Sequence, residues 1–166
     1  MEKNMPQRKH PRLDAYDYST AGAYFITVCT QNRRCLLSSI VGRGLAPAEI
    51  RLTPYGIIAQ QQLLLLEKRY PFLHIDHYVI MPNHIHAILR LAETAGASPR
   101  PTVTDVVCAY KSLTTRACKA AAPIDKLFQT SFYDHVIRNQ KDYLEISEYI
   151  LNNPKQWELD KLYTAE

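Results

Sequence analysis

Two histidines one residue apart, His84-Ile85-His86, are the first residues in this chain whose types and spacing suggest chemistry. Side chains alternate along a β-strand, so both imidazoles point to one face of a sheet and Ile85 points into the opposite layer. Two imidazoles side by side can chelate one divalent metal. They can also be a pair of polar residues on an exposed strand, and the triplet alone does not choose between these readings. The pair follows a tight Pro82-Asn83 turn in what reads as a central strand, where histidines without a purpose would be costly to desolvate, and this favours the metal. His74 and His77 lie on the preceding strand at odd spacing, face opposite ways and are read as structural.

Tyr149 and Asn153 lie four positions apart near the end of the last helical segment, which puts them about 40° apart on one side of a helix. A phenol oxygen attacks a phosphodiester only when something draws charge from the phosphorus and eases loss of the phenol proton, and a divalent cation on two histidines does the first. Asn153 could complete that site through its amide oxygen. Two nitrogens and one oxygen suit magnesium or manganese less well than an all-oxygen set, although phosphate oxygens would fill the remaining positions. The chain has eleven tyrosines, and helical spacing does not single out this one.

Residues 23–30 are β-branched and aromatic and predict a first strand; a second covers Leu36 to Val41. Gly42 to Pro47 reads as a loop. Thr53-Pro54 starts a helix running to about Arg69 whose apolar and polar sides suit packing on a sheet. A central hairpin follows, Leu73 to Met81 and His84 to Leu91 around Pro82-Asn83, then a polar loop from Ala92 to Pro101. A second helix spans Thr102 to about Ala120, Lys126 to Ile137 alternates loosely and fits a last strand, and Asn139 caps a third helix that Pro154 stops near Asn152. This order predicts an α+β protein with a ferredoxin-like, mainly antiparallel sheet and helices on one face. The whole chain, 1–166, reads as a single catalytic domain with residues 1–20 as an extended basic arm.

The 166 residues are enough for one core, and no apolar run approaches the length of a membrane span. The polar N-terminus lacks the apolar region of a secretory signal, so a cytoplasmic protein without membrane contact is expected. Cys29, Cys35, Cys108 and Cys118 form no C-x-x-C pair and read as free thiols. A net charge of +4 and a pI near 8.9 suit a polyanionic partner without proving one. Cations that could meet phosphates are Arg8, Lys9 and Arg12 in the arm, Arg33 and Arg34 after the first strand, Lys111 and Arg116 on the second helix, and Arg138. Of these, Arg138 and Lys111 are the better candidates.

The string from Asp76 through Met81-Pro82-Asn83-His84-Ile85-His86 resembles the HUH segment of the REP-associated tyrosine transposases, single-tyrosine HUH enzymes related to the insertion-sequence 200 transposases. Phe132 to Tyr143, continuing through Ser147-Glu148-Tyr149-Ile150-Leu151-Asn152-Asn153-Pro154, resembles that family's nucleophile region, and Tyr24 to Arg33 its opening strand. The resemblance covers most of residues 23–160. It implies that His84 and His86 bind Mg2+ or Mn2+, that Asn153 is the third ligand where other relatives use glutamine, and that Tyr149 is the nucleophile. It implies a substrate as well: single-stranded DNA near a hairpin, cut to a 5′-phosphotyrosine and a free 3′-hydroxyl. A homodimer is compatible with it. The rival readings are a non-catalytic binder of structured single-stranded nucleic acid and a phosphoesterase that uses water as nucleophile.

Overall fold

The computed structural model describes residues 12–42, 47–94 and 100–165; Arg8 and Lys9, with parts of the two expected loops, lie outside these residues. Four long-range strands form the main sheet: β1 (Gly22–Cys29), β4 (Leu73–Ile80), β5 (His84–Leu91) and β6 (Tyr133–Ile137), in the order β4-β5-β1-β6 with every neighbour antiparallel. Between β1 and the first helix comes a separate two-stranded ribbon, β2 (Ser38–Val41) with β3 (Glu49–Leu52). Helices α1 (Pro54–Arg69), α2 (Val103–Ala121) and α3 (Gln140–Asn152) complete the set. This is the α+β, ferredoxin-like architecture expected, since without the ribbon the elements run β-α-β-β-α-β with the first strand placed between the third and the last.

Alternation along β1 and β5 sorts the two sides of the sheet. Tyr24, Ile26, Val28, Ile85, Ala87 and Leu89 enter one core, which α1 and α2 close through residues such as Leu63, Leu66, Val106 and Tyr110. Phe25 and Ile88 point the other way, with Thr27 and His86 beyond them in register. That second face is not bare. Helix α3 lies on it, because Ile146 and Ile150 give α3 an apolar stripe that packs with Phe25, Val79 and Ile88. Two helices therefore cover one face as expected, and the third covers part of the opposite face.

Local chemistry sets the boundaries of the elements that matter most. Asn139 caps α3 by accepting from Asp142 N at 2.8 Å. A bulge between Ile75 and His77 lets Asp76 accept from Tyr143 of α3 at 3.0 Å while it pairs with Arg90 of β5 at 3.1 Å, so the strand irregularity becomes an anchor for the helix.

Three expectations change in detail. Strand β3 has no counterpart among the expected elements, its four residues being too short for an alternating pattern to stand out. β6 is confined to its last five residues; the stretch before it buries Leu127 and Phe128 one at a time, with a single bridge from Phe128 to Thr30. Nor are residues 12–20 a loose arm. Tyr18 is buried, and Arg12 donates to Asp134 at 2.8 Å and Thr104 at 3.0 Å with its guanidinium over Phe132, so this cation is occupied within the protein.

At the start of α1, Thr53 accepts from Gly56 N and donates to the Leu36 carbonyl, drawing the helix against the residues that lead into β2. A Cβ on Gly56 would sit inside van der Waals contact of the Leu37 carbonyl, a backbone group that cannot turn aside. Gly56→Ala should therefore destabilise the fold by about 1–3 kcal/mol, although in an open helix the same change stabilises by about 1 kcal/mol. Urea denaturation reads the difference, and an unchanged or higher midpoint would refute the contact.

Candidate active site

In the β1–β5 register, Thr27 stands opposite His86 and Cys29 opposite His84. Both imidazoles are buried, with ring centroids 4.4 Å apart. Each has one ring nitrogen engaged behind it: His86 Nδ1 lies 2.8 Å from Thr27 Oγ1 and His84 Nδ1 lies 2.8 Å from Asn83 Oδ1. The Asn83 amide can be oriented, because its nitrogen faces three acceptors: the Leu162 carbonyl at 2.8 Å, Thr164 Oγ1 at 3.2 Å and the Arg33 carbonyl at 3.3 Å. Its oxygen is then left to accept from His84, which puts the proton on Nδ1 and a lone pair on Nε2. Burial lowers both histidines, His84 to about 4 and His86 well below the usual range, so both rings are neutral at pH 7. Neutral imidazoles whose rear nitrogen is hydrogen-bonded have the form in which histidine binds metals, and the Nε2 of His84 has no partner among the described residues.

Helix α3 brings Tyr149 over this pair. The phenol oxygen is 3.4 Å from His86 Nε2, and its ring meets Phe25 edge-on at 6.3 Å between centroids. With 37% of its surface exposed, Tyr149 remains open to a substrate. Burial of the oxygen and the facing Asp160 carboxylate push its pKa up to about 12, so it is a phenol at neutral pH. Asn153 ends the helix one turn later, is buried, and supplies a carboxamide to the same space.

One member of the cluster is absent from the sequence reading. After Asn153 the chain continues as a 3-10 helix, Asn153–Leu159, buries Trp157 beside His84, and turns back so that Asp160 enters the site. Its Oδ2 accepts from Asn153 Nδ2 at 2.7 Å and from the Tyr149 phenol at 3.2 Å. No local motif marks this aspartate; only the return of the chain places it. Two buried atoms here, His84 Nε2 and Asn153 Oδ1, have no hydrogen-bond partner among the described residues. Unpaired buried polar atoms of this kind point to a missing ligand, and a cation that accepts electron pairs fits both.

Beside Tyr149 opens a cleft of about 580 Å³ whose walls include Phe25, His86, Tyr133, Gln129, Arg33 and Lys161. Of the cations nominated from sequence, Arg33 reaches this cleft, and Lys161, which was not nominated, joins it. Lys111 lines a second groove, about 490 Å³, with Arg116, Lys119 and Lys126, and donates to the Thr130 carbonyl at 2.7 Å. Gln129 borders both spaces. Arg34 is exposed in the turn after the 3-10 helix that follows β1. Arg138 is exposed beyond Ile137, which pairs with Ala23, and so lies toward the opposite end of β6 from Tyr133, Thr27 and His86. The four cysteines are free, and among the described residues no helix is long and apolar enough to cross a membrane.

No protein-family model matches the chain. An uncharacterized protein of Haemophilus influenzae is 33% identical over 94% of this chain and 93% of its own length. The REP-associated tyrosine transposase of Escherichia coli is 26% identical over 82% of this chain and 68% of its own length. Among solved structures, a REP-associated tyrosine transposase bound to a REP hairpin superposes with a TM-score of 0.62 and 25% identity, covering 86% of this chain and 73% of that one. Similarity along most of the chain and a shared fold agree: this chain is a homologue of the REP-associated tyrosine transposase of Escherichia coli and shares the fold of the hairpin-bound REP-associated tyrosine transposase.

Proposed function

We propose that this protein cleaves and rejoins single-stranded DNA next to a hairpin, with Tyr149 as nucleophile and with Mg2+ or Mn2+ held by His84, His86 and Asn153. The observation that carries the reading is the position of the Tyr149 oxygen, 3.4 Å from the Nε2 of His86 and beside a cleft of about 580 Å³. Hairpin-flanked DNA is the substrate class because the relative with a similar fold is bound to a REP hairpin.

The reaction divides among the chain's own residues. Arg33 and Lys161 attract the phosphodiester into the cleft, and Tyr133 on its wall offers ring surface to an adjoining base. Helix α3 holds the Tyr149 oxygen against the site, so that attack on phosphorus starts from a positioned nucleophile. The bond from the phenol oxygen to phosphorus forms as the bond from phosphorus to the 3′ oxygen breaks; the phenol loses its proton and the departing oxygen gains one, leaving a 5′-phosphotyrosine and a 3′-hydroxyl. Attack by a 3′-hydroxyl on the phosphotyrosine reverses the step and joins strands. A bound divalent cation would draw charge off the phosphate, which a phenol with a pKa near 12 requires at neutral pH.

Incubation with labelled, hairpin-flanked single strands and Mn2+ should yield a covalent protein–DNA band on a denaturing gel. Tyr149→Phe should remove the band and retain DNA affinity. Cleavage that persists in that variant would instead identify water as the nucleophile, and affinity without any adduct in the wild type would identify a binding module.

Thr27→Val keeps the shape of the side chain but takes away the hydrogen-bond partner behind His86. Outer partners of metal-binding histidines contribute about 10–100-fold to metal affinity or activity. The variant should form adduct more slowly by about that factor at limiting Mn2+, with recovery at high Mn2+. Wild-type rates at every Mn2+ concentration would contradict this role.

A further inference from the structure

We propose that Asp160 is a fourth ligand of the cation, given through Oδ2 alone by the segment that follows α3. This rests on the cation site proposed above and adds a carboxylate to it.

The two oxygens of Asp160 are differently committed. Oδ1 accepts from the backbone N–H of Leu162 at 2.7 Å, within its own turn, which fixes the plane of the carboxylate. Oδ2 is directed inward to Asn153, Tyr149 and His84. The side chain is 1% exposed, so water cannot solvate the charge freely. A buried carboxylate is unfavourable unless it is paired or holds a metal, and its hydrogen-bond donors, the Leu162 backbone N–H, the Asn153 amide and the Tyr149 phenol, are all uncharged.

His84 supplies the decisive contact. Its Nε2 is 4.0 Å from Asp160 Oδ2, and with the proton on Nδ1 both atoms present lone pairs across that gap. Facing lone pairs in a buried space repel unless positive charge lies between them. Ligand atoms at about 2.0–2.2 Å from one ion are separated by about 3–4 Å, the scale of this gap. Ligand atoms of His84, His86 and Asp160 all fall within 4.8 Å of one another.

The carboxylate also improves the chemistry of the set. Two imidazoles and a carboxamide are uncharged, a poor match for a hard dication; Asp160 brings one negative charge and a second oxygen, moving the site toward magnesium or manganese. It links the cation to the nucleophile as well. The oxygen that would bind the ion is the one that accepts from Tyr149, so a carboxylate engaged by a cation releases the phenol to face a phosphate.

The segment carrying Asp160 is tied down for this role. Asn83, which orients His84, donates to the Leu162 carbonyl, and Thr164 donates to the Arg33 carbonyl at 3.1 Å. One amide thus holds a histidine on one side and the aspartate's own turn on the other.

The test is a Mn2+ titration of the full chain without DNA, with free Mn2+ followed by its electron paramagnetic resonance signal. Asp160→Asn preserves size and an acceptor for Asn153 and should weaken binding at least about tenfold. Tyr149→Phe removes the competing phenol and should leave binding equal or tighter. Wild-type crystals grown with Mn2+ should show an Asp160 oxygen about 2.1 Å from the ion, an outcome that needs no variant to fold. Asp160→Asn binding as tightly as wild type or more tightly, or crystals in which the carboxylate stays on Asn153 and Tyr149 clear of the ion, would overturn the proposal. Failure to form a DNA adduct with Mn2+ binding intact strikes the proposed function alone, and a wild-type chain that takes up no Mn2+ strikes both.

Discussion

Antiparallel pairing of β1 with β5 is the constraint from which the site follows. The register sets Thr27 across from His86 and Cys29 across from His84, and the two-residue period sends those side chains to the face that α1 and α2 do not cover. A slip of one residue would send Ile85 and Ala87 to the face that carries Tyr149 and press two imidazoles into the core. Because Tyr24, Ile26, Val28, Leu89 and Leu91 all bury their side chains on the α1–α2 side, that core opposes the slip at many positions. The hydrophobic effect on one side of the sheet thereby sets where the two imidazoles stand on the other.

The second constraint is how α3 seats. Its apolar stripe is short, with Ile146 and Ile150 at the centre, and three further contacts settle where it lies: the Asn139 cap, the hydrogen bond of Tyr143 to Asp76, and the edge-on packing of Tyr149 on Phe25. These act at the start, middle and end of the helix, so its rotation about its own axis is determined as well as its position. Rotation is what decides whether a phenol at one position and a carboxamide four later share a target.

Much of this was legible along the chain. The bounds of α1, β5 and α3 follow from local signals: a threonine before proline, a Pro-Asn turn, an asparagine cap and a proline stop. His84, His86, Tyr149 and Asn153 were nominated from strand and helix periodicity with the resemblance, and they converge. What was not legible depends on the path of the chain in space. Asp160 has no motif and reaches the site through a return of the backbone; Thr27 matters because of the strand beside it; Lys161 reaches the cleft on that same return. Arg138 was favoured because it falls in a stretch that resembles the family, yet it follows the end of β6 that lies away from the histidines. Arg12 looked free and proved to be held by Asp134, a residue 122 positions away.

The helix stop at Pro154 has a consequence beyond ending α3. Seven residues of regular α-helix would carry position 160 about 10 Å along the axis from position 153, out of reach of its carboxamide. Instead the chain tightens into a 3-10 helix, irregular at Gln156, and doubles back until the two side chains are hydrogen-bonded. A proline with no reactive group of its own thus shortens the route between an amide and an acid, and the interruption of regular structure becomes the means by which the chain beyond the helix returns to the histidines.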